Sequence, residues 1–188
     1  MKKLNELKVV MDMLMSKYAD RVPDVKKVIQ DLIRENVIQN ENEISNDHIA
    51  FRTMGVPNLG IGSLEKIFLH YGYIKKDHYS FEGKKLDAYW YSPPAPEFPR
   101  IFISELRVKD LSENAQQIIH SYTNEVTSDP VDALNLNDPV EVGKFLHTSL
   151  WHIPTKADYL SLLNESEYAA WVIYNRYYLN HYTISVHY

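Results

Sequence analysis

The stretch that decides the fold is Asp47-His48-Ile49-Ala50-Phe51-Arg52-Thr53, whose period-two pattern predicts a β-strand. Successive side chains of a strand point to opposite faces, so His48, Ala50 and Arg52 share one face and the residues between them share the other. We expect the second, more apolar face to pack. The first face offers an imidazole, then a small residue that leaves room, then a cation.

His48 and Arg52 lie four residues apart, which is roughly 13 Å along an extended strand. A small anion held on a metal at His48 lies within reach of the long arginine side chain. The alternative interpretation is a strand with a partly exposed histidine and a salt-bridged arginine, because isolated polar residues are common on strands. This segment alone favours the alternative interpretation.

The composition limits the classes of protein and of site. A chain of 188 residues fits one domain and is long enough to bury a core. The formal net charge of −5 disfavours a nucleic-acid partner. There is no cysteine, so disulfides and thiolate metal sites are excluded, and a metal would need His, Asp, Glu or Tyr ligands.

The sequence also predicts where the protein resides. The N-terminus lacks the long apolar core of a signal peptide, and no run approaches the ~20 apolar residues of a membrane span. We therefore expect a cytoplasmic protein with no membrane partner.

Hydrophobic periodicity predicts a single α+β domain over residues 1–188. Helical spacing predicts N-terminal helices within residues 1–40. Residues 46–108 give the order strand, helix and three strands, a βαβββ unit. Residues 110–178 are helical again, and residues 180–188 return to period two, as the start of a second unit of the same kind.

Two local signals refine this order. Glu82-Gly83 predicts a tight hairpin between the second and third strands. Asp110 and Glu113 fit a capping box that would begin the first helix after the unit.

Three residues form a candidate metal site. Asp47-His48 and Asn180-His181 both begin a strand with a small polar residue followed by histidine. Together with Glu105 on the fourth strand, the two histidines would form a triad of two imidazoles and one carboxylate, which suits non-haem Fe(II). The same donors suit Mn²⁺, Ni²⁺ or Zn²⁺, so the sequence does not fix the metal. His181 could equally be a hydrogen-bonded surface residue.

The other histidines are weaker candidates. His187 shares a strand face with His181 at a spacing that would let both bind one ion, although a solvated terminal residue is the simpler interpretation. The remainder have no partner pattern and are expected to be structural or solvated: His70, His78, His120, His147 and His152.

Three separated motifs carry a resemblance to a known family. They are residues 46–53, the strand Arg-Ile-Phe-Ile-Ser-Glu-Leu at 100–106, and the segment from Tyr168-Ala169-Ala170-Trp171 to Asn180-His181-Tyr182-Thr183. The chain resembles the 2-oxoadipate dioxygenase/decarboxylase family, also called 2-hydroxyglutarate synthase, which is grouped with glyoxalase-like proteins.

The resemblance implies a vicinal-oxygen-chelate type fold of βαβββ units with a helical insertion. It implies an iron(II)-dependent reaction of lysine breakdown, in which 2-oxoadipate and O₂ give 2-hydroxyglutarate and CO₂. The family's metal ligands map onto His48 and His181, and its arginine that meets the substrate carboxylate maps onto Arg52. A bidentate guanidinium–carboxylate contact suits that role.

One departure from the family pattern leaves the function open. The third family ligand is a glutamate in the later part of the second unit, and this chain ends before that part; Glu105 lies on the corresponding strand of the first unit. We therefore expect either a piece of a longer protein or altered chemistry. The alternatives are a glyoxalase-like metal-dependent lyase or isomerase, and a non-catalytic half-fold that acts as a binding module and dimerises through its C-terminal strand.

Overall fold

The computed structural model describes residues 2–44 and 46–185. The described residues form seven α-helices and five strands. The helices are α1 (Lys2–Arg21), α2 (Asp24–Arg34), α3 (Ile61–His70), α4 (Glu113–Thr123), α5 (Pro139–Phe145), α6 (Lys156–Glu165) and α7 (Glu167–Asn175). The strands are β1 (Asn46–Met54), β2 (Ile74–Phe81), β3 (Leu86–Ser92), β4 (Arg100–Leu106) and β5 (Leu179–Ile184). Short 3₁₀ turns lie at Glu41–Glu43, Glu82–Lys84 and Val108–Asp110.

One mixed sheet organises the fold, with the strands in the order β2-β3-β4-β1-β5. β1 runs parallel to β4 and antiparallel to β5, and the remaining neighbours are antiparallel. The chain order β1, α3, β2, β3, β4 is the predicted strand, helix and three strands. The predicted α+β fold class is therefore confirmed.

The two faces of the sheet differ as the alternation of β1 predicts. Ile49 and Phe51 are fully buried, and the Phe51 ring lies 5.3 Å from the ring of Phe68 on α3. This face is completed by Ile101 and Ile103 of β4, which pair with them in register and are also fully buried. Burying such side chains stabilises the fold by about 1.5–3 kcal/mol each, so the register of β1 is strongly constrained.

We call the opposite face of the sheet the site face. It carries His48, Ala50 and Arg52 of β1. Their partners in register on β4 are Arg100, Phe102 and Ser104, and Ala50 pairs with His181 of β5.

The helices cover the sheet unequally. α1 buries Leu7, Val10, Met11 and Leu14. α2 buries none of its side chains, although its apolar residues recur at helical spacing; Val28 remains 54% exposed. Among the described residues, no helix combines the length and the apolar composition that crossing a membrane requires.

Two local predictions are wrong. The helix after the sheet is capped by Ser112, whose hydroxyl accepts a hydrogen bond from the Ala115 N–H, while Asp110 binds the Arg107 guanidinium instead. The β2–β3 connection is a 3₁₀ turn over Glu82–Lys84, followed by Lys85 with a φ of +56°. The left-handed residue, rather than a two-residue turn, reverses the chain here.

The last described strand pairs with the first unit. β5 lies at the sheet edge, antiparallel to β1, with irregular register between Asn46 and His48 and between Ala50 and Phe51. The prediction for His187 lies outside the described residues, as do Val186 and Tyr188.

Candidate functional site

Strand pairing brings His48 and His181 together on the site face. His181 pairs with Ala50, two residues beyond His48 on β1, so both rings project from the same side of adjacent strands. Their ring centres lie 5.6 Å apart, and the two planes are nearly perpendicular at 79°. Two residues that are far apart in the sequence thus lie side by side on the sheet.

The Nδ1 atom of His48 is held by two oxygen atoms. It lies 2.9 Å from Asp47 Oδ2 and 2.8 Å from Thr183 Oγ1. The hydrogen bond with His48, helped by the nearby Arg100 guanidinium, lowers the pKa of Asp47, so this carboxylate stays charged. A carboxylate beside Nδ1 favours the tautomer with its proton there, which leaves the Nε2 lone pair free for a ligand.

His181 repeats this arrangement. Its Nδ1 lies 2.7 Å from Asn180 Oδ1. Loss of solvation lowers the pKa of the His181 ring, and the neighbouring His48 ring and Arg52 guanidinium lower it further. The ring is therefore neutral at neutral pH, which is the state that binds metals. Among the described residues, no hydrogen bond involves the Nε2 atom of either histidine.

The separation of these two rings is compatible with one shared divalent ion. An imidazole nitrogen binds such a metal at about 2.1 Å, so the centres of two rings bound to one ion lie within about 6.5 Å of each other. The observed 5.6 Å satisfies this limit. Among residues 2–44 and 46–185, however, no group of three His, Asp or Glu side chains is close enough to hold a metal. The described residues therefore offer the candidate site two imidazoles and no third side chain.

Glu105 does not join the two histidines, contrary to our expectation. It pairs with Thr53 of β1, so its side chain lies on the face opposite to His48 and Arg52. Its Oε2 accepts a hydrogen bond of 2.8 Å from the Ile61 N–H at the start of α3. A carboxylate at a helix N-terminus satisfies an unpaired N–H and interacts favourably with the helix dipole. We therefore leave Glu105 out of the candidate metal site.

Arg52 lies on the site face, as predicted, but not in a salt bridge. Its guanidinium carbon is 5.1 Å from the centre of the Tyr168 ring and 5.3 Å from that of Trp171. Among the described residues, no carboxylate forms an ion pair with it. The side chain is partly buried, so a cation is held in a half-enclosed place without an anion beside it.

A cleft of about 430 Å³ is lined by Arg52 and His181, whereas His48 lines a separate pocket with Arg100 and Phe102. The walls of the cleft include Ala50, Arg52 and His181, with Ser104 and Tyr168 at one side and the β2–β3 turn at the other. The volume falls in the range of small-molecule sites. The small side chain of Ala50 lies between His48 and Arg52 on β1, as the sequence indicated.

Sequence reasoning missed the groups that support the site. Asp47 and Asn180 were visible as small polar residues before each histidine, and this repeated pair was the signal that could have identified them. Tyr168 and Trp171 lie within one of the three motifs, but the sequence did not indicate that their rings contact Arg52. Their spacing of three residues places both on one side of a helix, where they can face the same guanidinium.

A curated plant relative has a similar sequence. The chain is 38% identical over 181 residues to "2-oxoadipate dioxygenase/decarboxylase, chloroplastic" of Arabidopsis thaliana, covering 90% of this chain and 46% of that protein. The chain thus spans about half the length of this relative. The prediction of a cytoplasmic protein is contradicted, because the relative is named as a chloroplast protein.

Solved structures share the fold. The hydroxyglutarate synthase of Oryza sativa, in complex with 2-oxoadipate, matches 95% of this chain and 57% of its own, with 36% identity and a TM-score of 0.81. A glyoxalase superfamily protein from Ralstonia eutropha matches with a TM-score of 0.75 at 21% identity, covering 95% of this chain and 62% of its own. The second likeness concerns the fold alone.

The family itself is identified over nearly the whole chain. The model of the 2-oxoadipate dioxygenase/decarboxylase family matches residues 10–187. This range includes β1, the cleft and both histidines. The chain therefore belongs to the 2-oxoadipate dioxygenase/decarboxylase family.

Proposed function

We propose that this chain binds iron(II) through His48 and His181, binds a 2-oxo dicarboxylic acid through Arg52, and serves the conversion of 2-oxoadipate and O₂ to 2-hydroxyglutarate and CO₂. Family membership supports the reaction. The observation that carries the site is the pair of facing imidazoles, each with Nδ1 bound to an oxygen atom and Nε2 without a described partner.

In this proposal, residues at different positions on the site face have different roles. His48 and His181 would hold the metal, with Asp47 and Asn180 fixing the orientation of the rings. When bound, iron(II) supplies electrons and open coordination positions for oxygen and a chelating 2-oxo acid. Another divalent metal would occupy the same imidazoles, so iron is the part of the proposal that loading experiments must test.

Arg52 would orient the substrate. Its guanidinium presents a planar fork of N–H donors that matches a carboxylate, and it has no described anionic partner to displace. We assign it to the carboxylate remote from the oxo group, because Arg52 lies along β1 from His48. A substrate anchored at both ends is held in one orientation, which is how a positioned substrate gains rate.

The reaction is tested on anaerobically purified protein loaded with Fe(II). With 2-oxoadipate, we expect oxygen uptake with release of equal amounts of CO₂ and 2-hydroxyglutarate. Metal loaded without any oxygen uptake would contradict the oxygenase reaction. Turnover without oxygen would favour a glyoxalase-like lyase or isomerase.

The metal site is tested separately from turnover. Binding of Co(II), followed by its visible absorption, should be lost in His48→Ala and in His181→Ala. His78→Ala is the matched control, because His78 contacts Asp87 on the other face of the sheet. No bound metal in the unaltered protein, together with a dimer on size-exclusion chromatography, would favour the non-catalytic binding module.

A further inference from the structure

The setting of Arg52 is unusual for a cation. An arginine at a protein surface commonly pairs with a carboxylate, yet Arg52 has two aromatic rings for neighbours and no described acidic partner. A ring face attracts a guanidinium through its quadrupole without occupying the N–H donors in its plane. The charge is therefore stabilised while its hydrogen-bonding edge stays available to an anion.

Hydrogen bonds hold the Tyr168 side chain beside Arg52. Its hydroxyl donates to the Ser104 carbonyl at 2.9 Å, lies 2.8 Å from Ser104 Oγ, and accepts from the Thr53 N–H at 3.1 Å. Thr53 follows Arg52 on β1, and Ser104 is the register partner of Arg52 on β4. The ring is thus tied to both strands at the point from which Arg52 projects.

Trp171 supplies the second ring from the same helix. It lies three residues beyond Tyr168 on α7, whose first turn is capped by Ser166. Like Tyr168, it is partly buried. Its ring packs against the core and also lies 5.3 Å from the Arg52 guanidinium carbon, so it has a cation as well as apolar side chains for neighbours.

We propose that Tyr168 and Trp171 are positioning residues that hold the Arg52 guanidinium for the remote carboxylate of the substrate, and so set the preference for dicarboxylic 2-oxo acids. This inference rests on the proposed function. The rings act through Arg52 and do not contact the reacting atoms.

The test compares two ligands of equal chain length. 2-Oxoadipate has a carboxylate where 2-oxohexanoate has a methyl group. Their affinities for the Co(II)-loaded protein are measured by calorimetry for the unaltered chain and for Arg52→Gln, Trp171→Leu, Trp171→Phe and Tyr168→Phe. Tyr122→Phe is the matched control, since the Tyr122 hydroxyl binds Asp158 and neither residue lines the cleft.

We expect the unaltered protein and Tyr122→Phe to prefer 2-oxoadipate. Trp171→Leu should reduce that preference about 3- to 10-fold by weakening 2-oxoadipate binding alone, since cation–π contacts have this strength. Tyr168→Phe, which releases the ring from the strands, should reduce it in the same direction. Trp171→Phe keeps a ring face and should retain most of the preference.

The outcomes separate this inference from the proposed function. Loss of preference in Arg52→Gln, with full preference in Trp171→Leu and Tyr168→Phe, would overturn the role of the rings alone. Equal weakening of both ligands in the folded ring variants would also overturn it, because a structural defect does not discriminate. An unaltered protein that binds neither ligand would contradict the proposed function, and this inference with it.

Discussion

At the scale of single residues, Asp47 is the partner that orients the His48 ring. The Asp47 carboxylate lies within hydrogen-bonding distance of Nδ1 and favours the tautomer protonated there, which would leave Nε2 to bind the metal that we propose. A histidine that lacks such a partner rotates and changes tautomer more freely. If the proposed site binds a metal, its affinity should therefore depend on a residue that does not touch the metal.

We predict that Asp47→Ala lowers the affinity for Co(II) about 10- to 100-fold, which is the usual effect of removing such a partner. Competition with a chromophoric chelator measures it. Asp87→Ala is the control, because Asp87 contacts His78 on the opposite face. An unchanged affinity in Asp47→Ala would show that the bond to Nδ1 does not orient the ring.

Gly60 offers a second prediction about a single residue. Its φ of +87° and ψ of −165° lie in a region that only glycine adopts readily, and an added Cβ would lie 2.6 Å from Glu105 Oε2. We expect Gly60→Ala to lower the free energy of unfolding by at least about 1–3 kcal/mol. Gly62→Ala, where the added Cβ meets nothing within 4 Å, should be neutral or stabilising. Urea unfolding of both variants tests the difference.

The sequence was sufficient to predict the positions of His48 and Arg52. Both follow from alternation along one strand, which needs no knowledge of the neighbours. The aromatic setting of Arg52 was not predictable, because α7 reaches β1 only through tertiary packing. The sheet face on which Glu105 lies was not predictable either. It depends on which β4 residue pairs with which β1 residue, and the connections between the strands set that register.

At the scale of elements, Glu105 ties β4 to the start of α3. Its carboxylate accepts from the Ile61 N–H, and the Tyr177 hydroxyl accepts from the neighbouring Gly60 N–H at 2.6 Å. Gly60 itself has no side chain with which to cap the helix. The first turn of α3 is thus completed by side chains from distant parts of the sequence.

We predict that Glu105→Ala lowers the free energy of unfolding by about 1–2 kcal/mol, because the Ile61 N–H loses its acceptor. Glu105→Gln keeps an oxygen acceptor and should lose less. Neither variant should change the affinity for Co(II), since Glu105 faces away from the histidines. A large loss of Co(II) binding in folded Glu105→Gln would restore Glu105 as a ligand.

Most elements were predictable, and their ends were less so. Asp138 before Pro139, Thr155 and Ser166 cap α5, α6 and α7, and each is a residue type that favours that position. Ser112 replaced Asp110 as the cap of α4 because Arg107 recruits the Asp110 carboxylate. Competition between a backbone N–H and a guanidinium for one carboxylate depends on the three-dimensional neighbourhood.

At the scale of the whole molecule, partly buried histidines link stability to pH. Burial lowers the pKa of His147, and the positive charge of Arg21 and Lys17 lowers it further. Burial also lowers the pKa of His70, with Lys3 adding to the effect. In the unfolded chain both groups titrate near ~6.5. As the pH drops below that value, the unfolded chain binds more protons than the folded chain, so the free energy of unfolding decreases as the pH decreases.

We predict that the free energy of unfolding is fully developed above about pH 7 and declines as the pH falls through ~6.5 toward the lower folded-state pKa values. Urea titrations between pH 7.5 and 5 measure the slope. His147→Gln, which cannot be protonated, should flatten the slope, and His70→Gln should flatten it too. If both variants showed the same slope as the unaltered protein, the assignment to His147 and His70 would be contradicted.

The fold class was readable because the periodicity changes from 3.6 to 2 at residue 46 and back again. The place of β5 was not, since period two does not say which strand a terminal strand joins. Its pairing with β1 completes the histidine pair. The site thus depends on the least local contact of the sheet.

An ion shared by His48 and His181 would also act as a cross-link between the first strand of the sheet and the last. It would close the chain between His48 and His181 into one loop. The unfolded chain without the ion is free of that constraint. Because β5 has a single neighbour in the sheet that the described residues form, it would be the first strand to detach once a chelator removes the ion. Metal supply would then govern how long β5 survives proteases.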